Sequence, residues 1–183
     1  MHEKYLGDSY DLVKRFFCQR LGAVAPLYAH EDFVPPAIRD KYKAVTTIPI
    51  LSEHPQGGFG VLLDPDTGVC LPAQKPSGAT ARYVSLPFIV ELNRKLRPSY
   101  IVCFDQSYYR KHELSREAQR EEKMKFLRDG GLSSFYFKSH APFLFIAQKT
   151  ETLGRLLDRL VSAGIPECRF QPFETPGTRA GSS

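Results

Sequence analysis

Two short apolar runs in this chain stop on a carboxylate. Gly58-Phe59-Gly60-Val61-Leu62-Leu63 runs into Asp64-Pro65-Asp66-Thr67-Gly68, and Ser99-Tyr100-Ile101-Val102-Cys103-Phe104 runs into Asp105. Runs this short and apolar read as buried strands, and a Pro/Asp/Thr/Gly cluster after one reads as a turn. Open α/β sheets bind their ligands outside the carboxyl ends of their strands. Asp64, Asp66 and Asp105 are therefore candidate catalytic residues, with Gln106 on the loop beyond and Tyr109 and Arg110 as candidate substrate contacts. If the two strands are parallel neighbours, Asp64 and Asp105 are expected to converge at one sheet edge. Turn formation alone would also account for Asp64 and Asp66, since Asp and Pro favour turns.

Three chemistries suit such a cluster. Carboxylates hold Mg²⁺, so Asp64, Asp66 and Asp105 could be metal ligands of a nuclease or phosphoesterase, with Lys14 or Arg110 stabilising the phosphate. A carboxylate can instead orient an amino group or a cofactor hydroxyl for group transfer, or the acids can recognise a cationic partner. His140 is a further catalytic candidate. Its neighbour Ser139 does not make a dyad, because triads are spatial and adjacency in sequence says nothing, and a lone His among apolar residues is more often structural. Tyr108-Tyr109-Arg110 can stack on a base or ribose, or pack the end of the sheet.

The elements that must position these residues follow from periodicity. Leu12, Val13, Phe16 and Phe17 make one apolar helix face, continued by Leu21 and ended by Gly22. Asp8 fits its N-cap and Asp11 its N3 position. Asp11 and Lys14 fall off that stripe, where a solvent-facing pair would contribute a few tenths of a kcal/mol, roughly. Ala23 to His30 is a first strand bent by Pro26. Glu31 to Lys43 is a helix opened by Pro35-Pro36, and Val45 to Leu51 is a second strand weakened by Pro49. After Phe59–Leu63 a loop extends to about Gly78. Ser85 caps a helix ending before Pro98, and a charged helix from about Ser115 to Leu127 closes on Gly130-Gly131. Ser133 to Lys138 and Pro142 to Gln148 form a hairpin. Leu153, Leu156, Leu157, Leu160 and Val161 mark a last amphipathic helix stopped by Gly164 and Pro166.

Strands alternating with helices argue for an α/β fold: a single Rossmann-like domain over 1–170, mostly parallel with an antiparallel C-terminal hairpin, and a tail at 171–183. The 183 residues are 42% hydrophobic and 25% charged, the balance of an ordinary globular protein. No apolar h-region opens the chain and no run approaches a membrane span, so a cytoplasmic protein without a membrane partner is expected. Cys18, Cys70, Cys103 and Cys168 form no C-x-x-C pair, which disfavours a closed zinc site. The net charge of +5 and a pI near 9.0 permit a nucleic-acid partner. Part of that charge lies in His112–Arg128, where Glu and Arg/Lys interleave as on a solvated helix face.

The opening G-D-x-x-D-x-x-K, the strand ending D-P-D-T-G and the later strand ending Phe-Asp-Gln-Ser resemble little-characterised bacterial and phage-associated proteins, over roughly Tyr5 to Gln148. More distantly, Asp11-Leu12-Val13-Lys14 is similar to the N-terminal D-V-L-K helix of the ribosomal RNA adenine-N6 methyltransferases, and Asp64-Pro65 sits where that class carries D-P-P-Y. The terminal hairpin is similar to the end of a class I methyltransferase sheet. The resemblance implies an S-adenosylmethionine-dependent enzyme on nucleic acid, with Asp8, Asp11 and Lys14 near the cofactor and Asp64 accepting from the target amino group. Asp66 and Thr67 replace the second proline and the aromatic of that motif, and no G-x-G run follows the first strand. A shell that has lost the cofactor and become a binding module, as in phage defence, is the third expectation.

Overall fold

The structure is a computed structural model that describes residues 6–52, 55–72, 83–110 and 113–171. Asp8 caps α1 (Ser9–Leu21), accepting from the N–H groups of Tyr10 and Asp11 at 2.9 and 3.2 Å. Strand β1 (Leu27–His30) is shorter than expected, because Val24 and Ala25 donate back to the Leu21 carbonyl and prolong the helix end. The Pro35-Pro36 pair splits the next segment into 3₁₀ turns at Glu31–Phe33 and Pro36–Ile38 before α2 (Arg39–Thr46). Proline removes an N–H and pushes the preceding residue out of the α region. That helix takes up Val45 and Thr46, and Thr47 follows in the left-handed region (φ 61°). The expected strand over Val45–Leu51 therefore shrinks to β2 (Ile50–Leu51).

The later elements lie close to expectation. After β3 (Gly60–Leu63) come the two short strands β4 (Gly68–Val69) and β5 (Tyr83–Val84), a parallel pair placed where a loop was expected. The rest of that loop, 73–82, lies outside the described residues, as does the expected tail beyond Gln171. Ser85 Oγ accepts from Phe88 N at 3.2 Å to start α3 (Leu86–Leu96). The chain continues through β6 (Tyr100–Phe104), α4 (Arg116–Asp129), β7 (Ser133–Phe137), β8 (Phe143–Ala147) and α5 (Thr150–Ser162) to β9 (Phe170–Gln171), an edge strand that was not foreseen.

Among the described residues seven strands make one mixed sheet in the order β2-β1-β3-β6-β8-β7-β9. The first four are parallel, β8 runs against β6 and β7, and β9 runs against β7. The α/β class, the largely parallel sheet and the antiparallel hairpin are thus as the sequence led us to expect.

Strand alternation divides the core in two. Leu62, Val102, Phe104, Phe135, Phe143 and Phe145 point to one face, under α1, α2 and α5 through Phe17, Tyr42, Leu153, Leu156 and Leu160. Phe17 meets the rings of Phe137, Phe143 and Phe145 edge-on at 5.0–6.0 Å. Val61, Leu63, Ile101, Cys103, Tyr136, Leu144 and Ile146 point to the other face, under α3 and α4 through Leu86, Ile89, Leu92 and Leu127. Between the central strands Gly60 leaves room for the Tyr100 ring, which a Cβ would strike, and Tyr100 reaches on to donate to the Ala25 carbonyl at 2.8 Å. No helix among the described residues is long and apolar enough to cross a membrane.

Candidate functional site at the carboxyl edge of the sheet

Both acidic strand ends reach the same edge, yet they do not converge. In the parallel register Leu63 pairs with Cys103. Asp64 is therefore level with Phe104, and Asp105 lies one residue further along. Because side chains alternate, Asp64 takes the Leu62 side, under α1, and Asp105 takes the Cys103 side, under α4. The expectation of one shared carboxylate cluster is corrected on this ground: the two acids fall on opposite faces.

Each acid meets its own lysine. On the α1 face Lys14 Nζ donates to Asp64 Oδ2 at 2.6 Å and to Asp11 Oδ1 at 2.9 Å. Asp11 Oδ2 accepts from Gly7 N at 2.7 Å. The trio is buried, with Asp11 0%, Lys14 3% and Asp64 4% exposed. The solvent-facing Asp11–Lys14 pair expected from the helix stripe is thus corrected. The inner face of α1 is Asp11, Lys14, Phe17 and Leu21, while Leu12, assigned to the core, is 60% exposed. Burial by itself would lower the Lys14 pKa, but Asp64 and Asp11 more than offset it and raise it overall. Burial pushes the Asp64 carboxyl up, and Lys14 opposes that.

On the α4 face Asp105 is saturated. Oδ1 accepts from Val69 N at 2.9 Å, Ser107 N at 3.2 Å and the Ser107 hydroxyl, and Oδ2 accepts from Lys123 Nζ at 2.7 Å and Tyr136 OH at 2.6 Å. Lys123 also donates to Ser107 Oγ at 2.8 Å. Gly68, at φ +135°, is required here twice over: a Cβ would collide with Asp105, and few side chains tolerate that backbone. Burial and the adjacent Asp105 push the Tyr136 phenol well up. Lys123, Tyr136 and Ser107 escaped the sequence reading. Lys123 sits in the mixed-charge helix, where its one clue was sharing a stripe with Gln119 and Leu127, all three buried.

The remaining candidates surround these two clamps. Asp8 serves as the α1 cap. Asp66 is exposed in the turn after β3. His140 is exposed on the β7–β8 turn, its ring 5.7 Å from that of Tyr10, and Gln106 Nε2 donates to Tyr10 OH at 3.2 Å. Ser139 Oγ bonds Ala141 O at 2.6 Å and Ala141 N at 3.1 Å, which makes it a turn residue and not a partner of His140. Tyr109 and Arg110 lie exposed beyond Asp105, on the α4 side.

Neither implied cofactor fits. Among the described residues no group of three His, Cys, Asp or Glu side chains is placed to hold a metal ion. Asp64, Asp66 and Asp105 are divided between two faces and a turn, so the Mg²⁺ ligand set expected of them does not assemble. A class I methyltransferase cradles S-adenosylmethionine on a glycine loop after its first strand, where the backbone must come close to the ligand. Here β1 passes directly into a closed turn. His30 Nδ1 accepts from Asp32 N at 3.3 Å, Val34 N donates to Glu31 O at 3.1 Å, and Phe33 and Val34 are buried. The rings of His30, Phe33 and Phe88 pack within 5.8–6.2 Å of one another. No glycine stands between Gly22 and Gly57, so every position of that turn carries a side chain where the cofactor's cradle would need none.

No protein-family model matches the chain, and neither does any curated protein or any solved structure.

Two outcomes follow from the clamps. Lys123→Met leaves the Asp105 charge buried without its cation and is expected to cost about 3–5 kcal/mol in urea unfolding, whereas the exposed-end cap change Asp8→Ala should cost about 1 kcal/mol. The second concerns alkaline pH. Lys14 and the buried phenols of Tyr42, Tyr100 and Tyr136 all have raised pKa values, so the folded state holds their protons more tightly than the unfolded chain. Their stabilisation is complete below the unfolded values near 10.0–10.5 and is lost as pH rises through the folded values. The buried Cys103 thiol is likewise pushed well above its ordinary 9.0, so the melting temperature should hold steady from neutral pH to about 9 and then fall, and Tyr136→Phe should flatten that fall.

Proposed function

We propose that this chain is a nucleic-acid-binding α/β protein of methyltransferase-like, Rossmann-like build, whose working group is Asp64 at the carboxyl end of β3. The observation that carries the reading is the placement of that carboxylate. It closes a central parallel strand, Lys14 binds its Oδ2, and no described residue donates to its Oδ1. On the same α1 side, half-buried Tyr10 packs against Phe104, the residue level with Asp64, and exposed Gln106 and His140 meet Tyr10, planar groups of the kind that line a base site. The exocyclic amino group of adenine, cytosine or guanine is a pure donor, and a carboxylate is an acceptor-only partner for it. The reversed β8 between β6 and β7 supports the methyltransferase-like build, and the net charge of +5 suits a polyanionic ligand.

The filled turn after β1 argues for recognition of the base without S-adenosylmethionine, a shell that keeps the amino-group acceptor and gives up the cofactor cradle. The saturated Asp105 argues against a two-carboxylate metal site on the same edge. Asp105 holds the edge in shape, and Asp64 meets the ligand.

Titration calorimetry tests the reading. Short unpaired oligonucleotides of adenine or cytosine should bind. Uracil oligonucleotides, which lack an exocyclic amino group, should bind about tenfold or more weakly, the value of one hydrogen bond to a charged group. Asp64→Asn should erase that preference, and S-adenosylmethionine should give no heat. Cofactor binding that disappears in Lys14→Ala would contradict the account and restore a methyltransferase.

A further inference from the structure

We infer that the nucleic acid taken at this edge is unpaired and is held by stacking on the Tyr108–Tyr109 loop. This rests on the reading of Asp64 just given. Inside a duplex one hydrogen of an exocyclic amino group is taken by the pairing partner and the other lies within the major groove, which only a protruding side chain reaches, and Asp64 is 4% exposed. Only a base out of its stack can bring that group to it.

The loop that leaves Asp105 supplies what such a strand requires. Among the described residues the exposed large hydrophobics are Leu12, Tyr108 and Tyr109, the two tyrosines being 36% and 45% exposed. Both residues are partly exposed, and the backbone of Tyr109 is fixed from within. Gln119 on α4, 2% exposed, accepts from Tyr109 N at 3.0 Å and donates to Tyr109 O at 3.0 Å and to Leu114 O at 3.1 Å. The near end is held by Asp105 through Ser107 and by Gln106 N donating to Thr67 O at 3.1 Å. A buried amide is costly unless it is fully bonded, and here all its bonding goes to bracing an exposed loop. A rigid loop presenting two aromatic faces loses little entropy when a base stacks on it.

Charge and position agree. The Arg116 guanidinium lies 5.1 Å from the Tyr108 ring centroid, and Arg110 is exposed two residues on, so cations flank the rings for a phosphate backbone. Gln106, next to Asp105, donates to Tyr10 of α1, so the loop that carries this platform reaches the α1 side of the edge, the side Asp64 takes. The outer face of α4 carries exposed Glu117, Glu121 and Glu122, which would repel a duplex laid along it.

Fluorescence polarisation with a labelled oligonucleotide, single-stranded and then annealed to its complement, tests the inference. The single strand should bind at least about tenfold tighter than the duplex, and Tyr108→Ala with Tyr109→Ala should lose about tenfold per stacked base. Tyr108→Phe with Tyr109→Phe should keep the affinity, and thermal unfolding should be unchanged in both. Equal binding of duplex and single strand, or full affinity in the alanine variant while Asp64→Asn still loses its base preference, would overturn this inference alone. Failure of either form to bind would overturn it together with the reading of Asp64.

Discussion

A β-strand turns successive side chains to opposite faces, and the carboxyl edge of this sheet depends on that alternation. Two adjacent parallel strands end on acids whose positions differ by one residue in register. The pair that looked like a single acidic site is therefore two half-sites with the sheet between them. Each carboxylate arrives at the end of an apolar strand under a helix, where an isolated charge is untenable. Each is met by a lysine from the helix covering its own face, Lys14 from α1 and Lys123 from α4. The lysines also tie those helices to the ends of the central strands, so that edge geometry and helix docking depend on the same four charges.

The two clamps differ in what they leave over. Asp105 accepts on both oxygens from backbone, hydroxyl, phenol and ammonium donors, and Gly68 has no side chain because that cage has no space for one. Such a group shapes the loops on either side and has no lone pair to offer a ligand. Asp64 shares its lysine with Asp11 and, among the described residues, is bound on one oxygen. In the proposed reading the ligand is therefore met on the α1 side, and the braced loop beyond Asp105 carries the surface on which it rests.

Much of this fold was legible. The apolar runs ending on Asp64 and Asp105, the Ser85 cap and the leucine stripe of α5 all announced elements close to their observed places, because each signal is local. What was not legible depended on partners far along the chain. Hydrophobic spacing in α1 favoured a face through Leu12 and Phe16. The observed inner face includes Asp11 and Lys14, since Asp64, fifty residues away, makes burying that lysine tolerable. In α4 the same logic hid Lys123 in a run of alternating charge. The register that separates Asp64 from Asp105 is likewise a property of the paired strands and not of either alone. The short strands β2, β4, β5 and β9 lie in segments broken by Pro and Gly, where alternation has too few residues to show.

The separation of the two clamps can be measured directly with a double-mutant cycle. Asp11→Asn weakens the Lys14 clamp and Tyr136→Phe weakens the Asp105 clamp, each removing one hydrogen bond to a charged group at about 1.5–3 kcal/mol. If the sheet divides the two sites, their costs in urea unfolding will add to within about 0.5 kcal/mol. A coupling of about 1 kcal/mol or more would place both carboxylates in one shared site and contradict the account.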